Sequence, residues 1–176
     1  MTSNSVLAPS ERSFHSHPLN IVLYQPEIAA NTGAVGRTCV GIGAKLWLVE
    51  PLGFQIDDRK LKRAGLDYWE ALDWERVPDW RTLRARLFES NKDCGSEVRF
   101  FFFSKKGKKR YDSVSYRLGD VFVFGSESCG LPDSFTNDAR TLRIPIRPQI
   151  RSLNLSVSVA VVGFEAARQL GINSQF

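Results

Sequence analysis

Histidine is scarce in this chain of 176 residues, and its two histidines, His15 and His17, both lie within the first 17 positions. A histidine-based catalytic triad or a histidine-rich metal centre in the rest of the chain is therefore excluded, and we expect no metal site. No apolar run approaches the roughly 18 residues that a membrane span requires, so we also expect no membrane partner.

Cysteine is sparse as well, since Cys39, Cys94 and Cys129 lie far apart and form no C-x-x-C pair. This spacing argues against a disulfide framework and against a structural zinc site. It is typical of a protein in a reducing compartment, so we expect a cytoplasmic location. Residues 1–18 are rich in serine and lack both apolar periodicity and the apolar stretch of a secretory signal, which predicts a disordered N-terminal extension.

Apolar and basic residues, by contrast, are plentiful. The chain is 43% hydrophobic, enough for a sizeable core, and its 24 Lys and Arg against 19 Asp and Glu give a net charge of +5. Two dense basic runs stand out, RKLKR at residues 59–63 and SKKGKKR at residues 104–110. Such runs are usually solvated surface, but two of them in a basic domain favour a nucleic-acid partner.

Strands alternate with helices along residues 19–176, which we interpret as a single domain. Strands are predicted at residues 19–24, 44–50, 98–103, 120–124 and 142–146, and helices at residues 31–43, 57–65, 78–90 and 153–170. Several of these strands are nearly continuous apolar runs, which predicts an α/β fold with a mainly parallel sheet and helices on both faces. Asn31 is the expected N-cap of the first helix, and Gly43 is its expected terminator.

The last predicted helix is apolar on nearly every face between Val157 and Ala167. A helix that is apolar all round must be buried all round. It is either a central core helix, or it covers the sheet on one side and meets a second subunit on the other. In so small a domain we favour the second interpretation, a dimer interface.

A glycine-rich segment, GSESCGLP at residues 125–132, follows the predicted strand 120–124. It has the G-x-x-x-x-G frame of a phosphate loop, but Leu131 and Pro132 stand where lysine and serine or threonine are required. Open α/β sheets bind ligands at the carboxyl ends of their strands, so this segment, with Gly125 and Glu127, is a candidate binding loop. An ordinary strand-to-helix turn is the alternative.

Arg37 is a second candidate, because it lies on the first predicted helix beside the small residues Gly33 and Gly36, which leave room for a large ligand. A solvated helix face is the alternative. The third candidate is residues 144–156 (IPIRPQIRSLNLS), where Arg147 and Arg151 lie close to Ser152 and Asn154. These polar groups either cap the last helix or bind a phosphate or ribose.

Together these segments resemble the SPOUT class of RNA methyltransferases, and within it the TrmL/YibK-type tRNA (cytidine/uridine) 2′-O-methyltransferases that act on the wobble nucleotide. The resemblance runs from Leu19 almost to Gly171 and rests on NIVLY…NTG…R at residues 20–37, EPLGF at 50–54, RAGLDY at 63–68, FGSESCGLP at 124–132 and IP…RSLNLS at 144–156. The segment at residues 63–68 favours this subgroup over other SPOUT proteins.

The resemblance implies a SPOUT fold with a C-terminal deep trefoil knot, S-adenosyl-L-methionine as cofactor, tRNA as partner, and a homodimer formed through the first and last helices. The cofactor-binding residues that it implies are Phe103, Gly125, Ile144, Ser152 and Leu153. The catalytic residues that it implies are Arg37, Glu127 and Asn154. We expect the substrate RNA to meet Asn31 and Arg37, together with Arg147 and Arg151. The sequence departs from close relatives at Val157 and at Phe164, where a tyrosine hydroxyl is lost.

The implied reaction is methyl transfer to the ribose 2′-hydroxyl of a wobble cytidine or uridine. Methylation of another RNA, such as ribosomal RNA, and a non-catalytic RNA-binding role for the SPOUT fold are the alternatives. Because an arginine is normally protonated, Arg37 is at least as well suited to stabilise the forming alkoxide or to hold a neighbouring phosphate as to act as a base.

Overall fold

The computed structural model describes residues 17–55, 67–91 and 97–172. Several predictions from the sequence fall outside these ranges. They are the N-terminal extension up to residue 16, the helix at residues 57–65, the basic run at residues 59–63, and residues 63–66 of the RAGLDY segment.

A seven-stranded sheet forms the centre of the described structure. Its strands are β1 (Leu19–Tyr24), β2 (Lys45–Val49), β3 (Trp74–Val77), β4 (Phe100–Phe103), β5 (Lys109–Arg110), β6 (Asp120–Phe124) and β7 (Thr141–Arg143). They are arranged in the order β3-β2-β1-β6-β4-β7-β5, and every neighbouring pair is parallel. The predicted parallel sheet is therefore confirmed.

Helices cover both faces of this sheet, as predicted. They are α1 (Ala29–Ile42), α2 (Trp80–Ser90), α3 (Asp133–Thr136) and α4 (Leu155–Leu170). Successive side chains of a strand point to opposite faces, so Ile21 of β1 packs in the core formed with Val35 of α1 and Val159 of α4. Its neighbour Val22 packs in the opposite core with Leu83 of α2. Burial on both faces explains why the central strands have continuous apolar sequences.

Predicted and observed strands agree best in the middle of the sheet. The predicted strands 19–24 and 120–124 coincide with β1 and β6, and β2, β4 and β7 overlap their predictions with shifted ends. No strand was predicted at the positions of β3 and β5. They are the two edge strands of the sheet, and their sequences, WERV and KR, are short and contain charged residues.

The first helix begins at Ala29, two residues before the predicted start. Its N-cap is Ile28, so the prediction that Asn31 caps this helix is wrong. The Asn31 side chain is bound instead by residues from two distant segments, which occupy its hydrogen-bonding groups. The predicted end of the helix at Gly43 is confirmed, with a left-handed φ of 68° at that residue.

The order of the strands determines where the candidate site lies in the fold. Since β6, β4 and β7 are neighbours and parallel, the segments that leave their carboxyl ends meet at one edge of the sheet. Helix α4 packs against α1, which brings the start of α4 to the same edge. Across the described ranges, no helix has the length and the apolar character needed to cross a membrane.

Candidate active site

A cleft of about 410 Å³ lies at the carboxyl ends of β4, β6 and β7. Its walls are the segments that follow these strands and the segment that leads into α4. All five residues predicted to bind the cofactor line it, namely Phe103, Gly125, Ile144, Ser152 and Leu153. Residues more than 40 positions apart in the sequence thus form one concave site.

The loop at residues 125–131 forms one wall of the cleft, and its backbone folds back on itself. The Gly130 N–H donates to the Ser126 carbonyl oxygen at 2.9 Å, and Gly130 has a φ of 70°. A Cβ atom on Gly125 would lie 2.0 Å from the carbonyl carbon of Gly130 and 2.3 Å from the Leu131 nitrogen. The loop therefore closes only because residue 125 has no side chain. An ordinary strand-to-helix turn does not require such a close approach between two backbone segments.

A chain of hydrogen bonds joins three distant segments beside the cleft. The Asn31 amide nitrogen Nδ2 donates to Glu127 Oε1 at 2.9 Å, and Asn154 Nδ2 donates to Asn31 Oδ1 at 2.9 Å. The links therefore run from the glycine-rich loop through α1 to the start of α4. Two of the predicted catalytic residues, Glu127 and Asn154, are brought together through the predicted substrate residue Asn31.

Asn154 also caps α4, because its Oδ1 atom accepts from the Ser156 N–H at 2.8 Å and from the Ser156 hydroxyl at 2.7 Å. The cap and the network share one side chain. Capping was the alternative interpretation of this polar segment. The cap hydrogen bonds fix the Asn154 side chain in the orientation in which it also donates to Asn31.

Glu27 is a residue of this site that sequence reasoning missed. Its carboxylate accepts from the Ser128 N–H at 3.1 Å and from the Ser128 hydroxyl at 2.5 Å, while its own N–H donates to Glu127 Oε2 at 2.8 Å. The signal that would have pointed to Glu27 is its position just past β1, at the same edge of the sheet as the glycine-rich loop.

The predicted arginines lie outside the cleft lining. Arg37 is exposed on α1, with its guanidinium carbon 4.7 Å from the centre of the Tyr68 ring, and the Tyr68 hydroxyl donates to the Gly33 carbonyl oxygen at 2.7 Å. Arg147 and Arg151 are exposed in the segment before α4 and make no ion pair with the described residues. Among the described residues, the Glu127 carboxylate is held by the Glu27 N–H and by Asn31, and it forms no hydrogen bond or ion pair with any of these three arginines.

The basic run at residues 104–110 borders the cleft and continues to the edge of the sheet. Lys105 and Lys106 line the cleft, and Lys106 pairs with Asp133 of α3, so its ammonium group holds the pKa of that carboxyl below its ordinary value. On edge strand β5, Arg110 lies beside Arg143 of β7. Arg110 is paired with Asp112, as Lys106 is with Asp133, so the positive charge of this sheet edge comes from the other cations, Lys105, Lys108, Lys109 and Arg143, which form no ion pair among the described residues.

The fold and this cleft are those of an RNA methyltransferase class. The chain belongs to the SpoU rRNA Methylase family, whose model matches residues 18–164. The resemblance to SPOUT-class RNA methyltransferases is thereby confirmed.

Individual relatives cover nearly the whole chain. A tRNA (cytidine(34)-2′-O)-methyltransferase of Burkholderia ambifaria is 46% identical over 156 residues, which are 86% of this chain and 96% of the relative. Its counterpart in Aeromonas hydrophila is 45% identical over 157 residues, 87% of this chain and 95% of that protein.

Solved structures agree with these relatives. One from a study of the 2-OH methylation of C/U34 on tRNA has a TM-score of 0.78 and 42% identity, covering 88% of this chain and 97% of that one. The methyltransferase AviRb from Streptomyces viridochromogenes in complex with AdoMet has a TM-score of 0.76, covering 87% of this chain and 58% of that one. At 20% identity, AviRb shows the shared fold alone.

Proposed function

We propose that this protein transfers a methyl group from S-adenosylmethionine to the ribose 2′-hydroxyl of the wobble nucleotide, cytidine or uridine 34, of tRNA. The observation that carries the proposal is the joining of Glu127, Asn31 and Asn154 beside one cleft at the carboxyl ends of β4, β6 and β7. Relatives at 45–46% identity over most of this chain are named for this reaction on tRNA. Transfer RNA is therefore favoured over ribosomal RNA.

The cleft suits S-adenosylmethionine, which supplies a methyl group on a sulfonium centre. Its volume of about 410 Å³ falls in the range of small-molecule sites. Phe103, Ile144 and Leu153 offer apolar surface to an adenine ring, and the backbone around Gly125 and at Ser152 offers hydrogen-bonding groups. The close approach of backbone at Gly125 gives the loop the tight shape that such backbone recognition needs.

In the reaction, the bond from sulfur to the methyl carbon breaks as the bond to the ribose O2′ forms, and the hydroxyl proton leaves. Much of the acceleration comes from holding the reacting atoms in line. Glu127 is the acidic side chain among the described residues of the cleft lining, and Asn31 and the Glu27 N–H hold its two oxygens. We assign Glu127 to receiving the proton, Asn154 to binding the ribose, and Arg37 to stabilising the forming alkoxide or the adjacent phosphate.

The described structure has one histidine, His17, and it is engaged elsewhere. Its ring nitrogens lie 3.2 Å from the Gly43 carbonyl oxygen and 2.6 Å from Asp73 Oδ2. It does not line the cleft. The proton therefore leaves the ribose hydroxyl without histidine catalysis in this proposal.

We also propose that the functional unit is a homodimer formed through α1 and α4. The two helices pack together, yet two large apolar side chains remain exposed on α4, with Val157 46% and Phe164 47% exposed. A Cβ atom on Gly41 of α1 would lie 4.0 Å from the Phe164 ring, so this ring spans both helices. Because Arg37 also lies on α1, pairing through these helices would place it near the second subunit.

Three further assignments are part of this proposal. The family resemblance supports a C-terminal deep trefoil knot. The alternation of strands and helices supports a single domain over residues 19–176 after the N-terminal extension, and the sparse, unpaired cysteines support a cytoplasmic location. The substrate surface in this proposal comprises Asn31 and Arg37 with the exposed Arg147 and Arg151.

Replacing Phe164 with glutamate will convert the dimer to a monomer, because a charge would be buried without a partner at the helix pair. Sedimentation velocity at micromolar concentration measures the change. Leu118→Glu is the matched control, since Leu118 is 52% exposed but lies outside both helices. A wild-type monomer, or a Phe164→Glu protein that sediments as a dimer, contradicts the proposed interface.

Saturating S-adenosylmethionine will slow the alkylation of Cys129 at least about tenfold, because this exposed thiol lines the cleft. Cys39 serves as an internal reference, since burial raises the pKa of its thiol and keeps it unreactive. Timed labelling with a maleimide, followed by peptide mass spectrometry, measures the modification of each cysteine. Equal Cys129 labelling with and without the cofactor would place S-adenosylmethionine elsewhere.

The choice of RNA is tested by competition. Purified protein with labelled S-adenosylmethionine is given equal amounts of unmodified total tRNA and unmodified ribosomal RNA, which are then separated and counted. The proposal expects the label in tRNA. Label in ribosomal RNA alone would favour the other substrate, and label in neither, with cofactor binding intact, would favour a non-catalytic role.

A further inference from the structure

Glu27 and the glycine-rich loop hold each other by reciprocal hydrogen bonds. The Glu27 carboxylate receives the N–H and the hydroxyl of Ser128 on different oxygens, Oε2 at 3.1 Å and Oε1 at 2.5 Å. In the other direction, the Glu27 N–H donates to Glu127 Oε2 at 2.8 Å. Glu27, a single residue, therefore makes three hydrogen bonds to the adjacent loop residues Glu127 and Ser128.

The backbone that carries Glu27 is itself anchored. The Gly53 N–H donates to the carbonyl oxygen of Pro26 at 2.9 Å, and the Gln25 N–H donates to the Val49 carbonyl oxygen at 3.0 Å. These bonds tie the chain around Glu27 to β2 and to the segment after it. Glu27 thus connects the exposed residue Ser128 of the loop to the edge of the sheet by hydrogen bonds.

The chemistry of these contacts requires a carboxylate. Ser128 presents two donors, and both oxygens of Glu27 are used as acceptors. Hydrogen bonds to an ionised acceptor are about twice as strong as neutral ones. Among the described residues neither Glu27 nor Glu127 forms an ion pair, so these N–H and O–H donors are what hold the two carboxylates in place.

We propose that Glu27 is a positioning residue for the cofactor loop: it fixes Ser128 and Glu127 so that the loop is preformed for S-adenosylmethionine. Glu27 does not line the cleft, so it acts through the loop and not by touching the cofactor. This inference rests on the proposed function, because it assumes that the cleft binds S-adenosylmethionine. Preorganisation of this kind raises affinity by lowering the cost of ordering the loop on binding.

The test compares S-adenosylmethionine binding by calorimetry in Glu27→Gln, Ser128→Ala and the double variant. A glutamine keeps the shape of Glu27 but replaces one acceptor oxygen with an amide donor. We expect affinity to fall about tenfold in Glu27→Gln, and we expect the double variant to be no weaker than Glu27→Gln, since the lost bond is shared. Glu89→Gln, an exposed glutamate on α2 with no side-chain partner among the described residues, is the matched control and should bind like wild type.

Hydrogen exchange supplies a readout that does not depend on the cofactor. Without ligand, amides of residues 126–130 should exchange faster in Glu27→Gln than in Glu89→Gln, while those of β6 stay protected and the Tm changes by no more than about 2 °C. Protected β6 amides show that the variant is folded.

Each outcome decides the inference. It is overturned if Glu27→Gln binds the cofactor within twofold of wild type, if the losses from the two single variants simply multiply in the double variant, or if Glu89→Gln weakens binding equally. Wild-type protein that binds no S-adenosylmethionine would instead refute the proposed function. Binding by wild type together with an unaffected Glu27→Gln refutes only the positioning role.

Discussion

Arg37→Ala will leave the protein folded and able to bind S-adenosylmethionine, but it will lower the rate of methyl transfer to tRNA by at least about a hundredfold. Removing one preorganised donor that stabilises developing negative charge typically costs a factor of 10² to 10³ in rate. The fold should survive because Arg37 is exposed and its guanidinium group packs over the Tyr68 ring. Single-turnover transfer from labelled cofactor, with calorimetry for cofactor binding, measures both quantities.

The matched control for this variant is Arg84→Ala. Arg84 is also an exposed helical arginine lying over an aromatic ring, with its guanidinium carbon 5.4 Å from the centre of Phe88. It lies on α2, against the opposite face of the sheet from α1, so we expect normal turnover. If Arg37→Ala turns over at the wild-type rate, Arg37 has no part in the chemistry and the assignment to it is wrong.

Gly125→Ala will weaken S-adenosylmethionine binding by at least about a hundredfold, the second large effect. The new Cβ would overlap the carbonyl carbon of Gly130 at 2.0 Å and its oxygen at 2.4 Å, and backbone atoms cannot turn aside as a flexible side chain can. The loop must therefore open, which removes the wall of the cleft. Forcing extra volume into a packed site typically lowers the free energy of unfolding by about 1–3 kcal/mol, so we expect the protein to remain folded.

Gly41→Ala is the control for this variant. Its Cβ would have only the Phe164 ring within 4.0 Å, and alanine is favoured over glycine inside a helix by about 1 kcal/mol. We expect it to bind the cofactor normally, with circular dichroism confirming that both variants are folded. Cofactor affinity in Gly125→Ala close to that of wild type would show that the tight turn does not form the binding site.

The central strands were predictable because a strand that is buried on both faces of a sheet has a nearly continuous apolar sequence. The Phe100–Phe103 run of β4 is buried along its whole length, and such a run is hard to place anywhere but inside a parallel sheet. The edge strands were not predictable. The two residues of β5 are exposed cations, Lys109 and Arg110, that pair with β7 only because the chain returns to that edge.

The parts of the site were also predictable unequally. The family resemblance predicted five residues that bind the cofactor, and the structure places all five in the lining of one cleft. The sequence placed Asn31 at a helix cap because local propensity favours asparagine there. In the structure Asn31 links Glu127 and Asn154, which lie 96 and 123 positions away in the sequence. Contacts between residues so far apart cannot be predicted from local sequence preferences. Glu27 was missed for the same reason.

The most direct test of the account is to map the methyl group itself. Unmodified tRNA is incubated with the protein and labelled S-adenosylmethionine, and the product is digested and sequenced by mass spectrometry, beside a tRNA that carries 2′-deoxyribose at position 34 alone. We expect one methyl group on the ribose of nucleotide 34 and no incorporation into the deoxy-substituted tRNA. Incorporation at another nucleotide, on a base, or equally into both RNAs would contradict it.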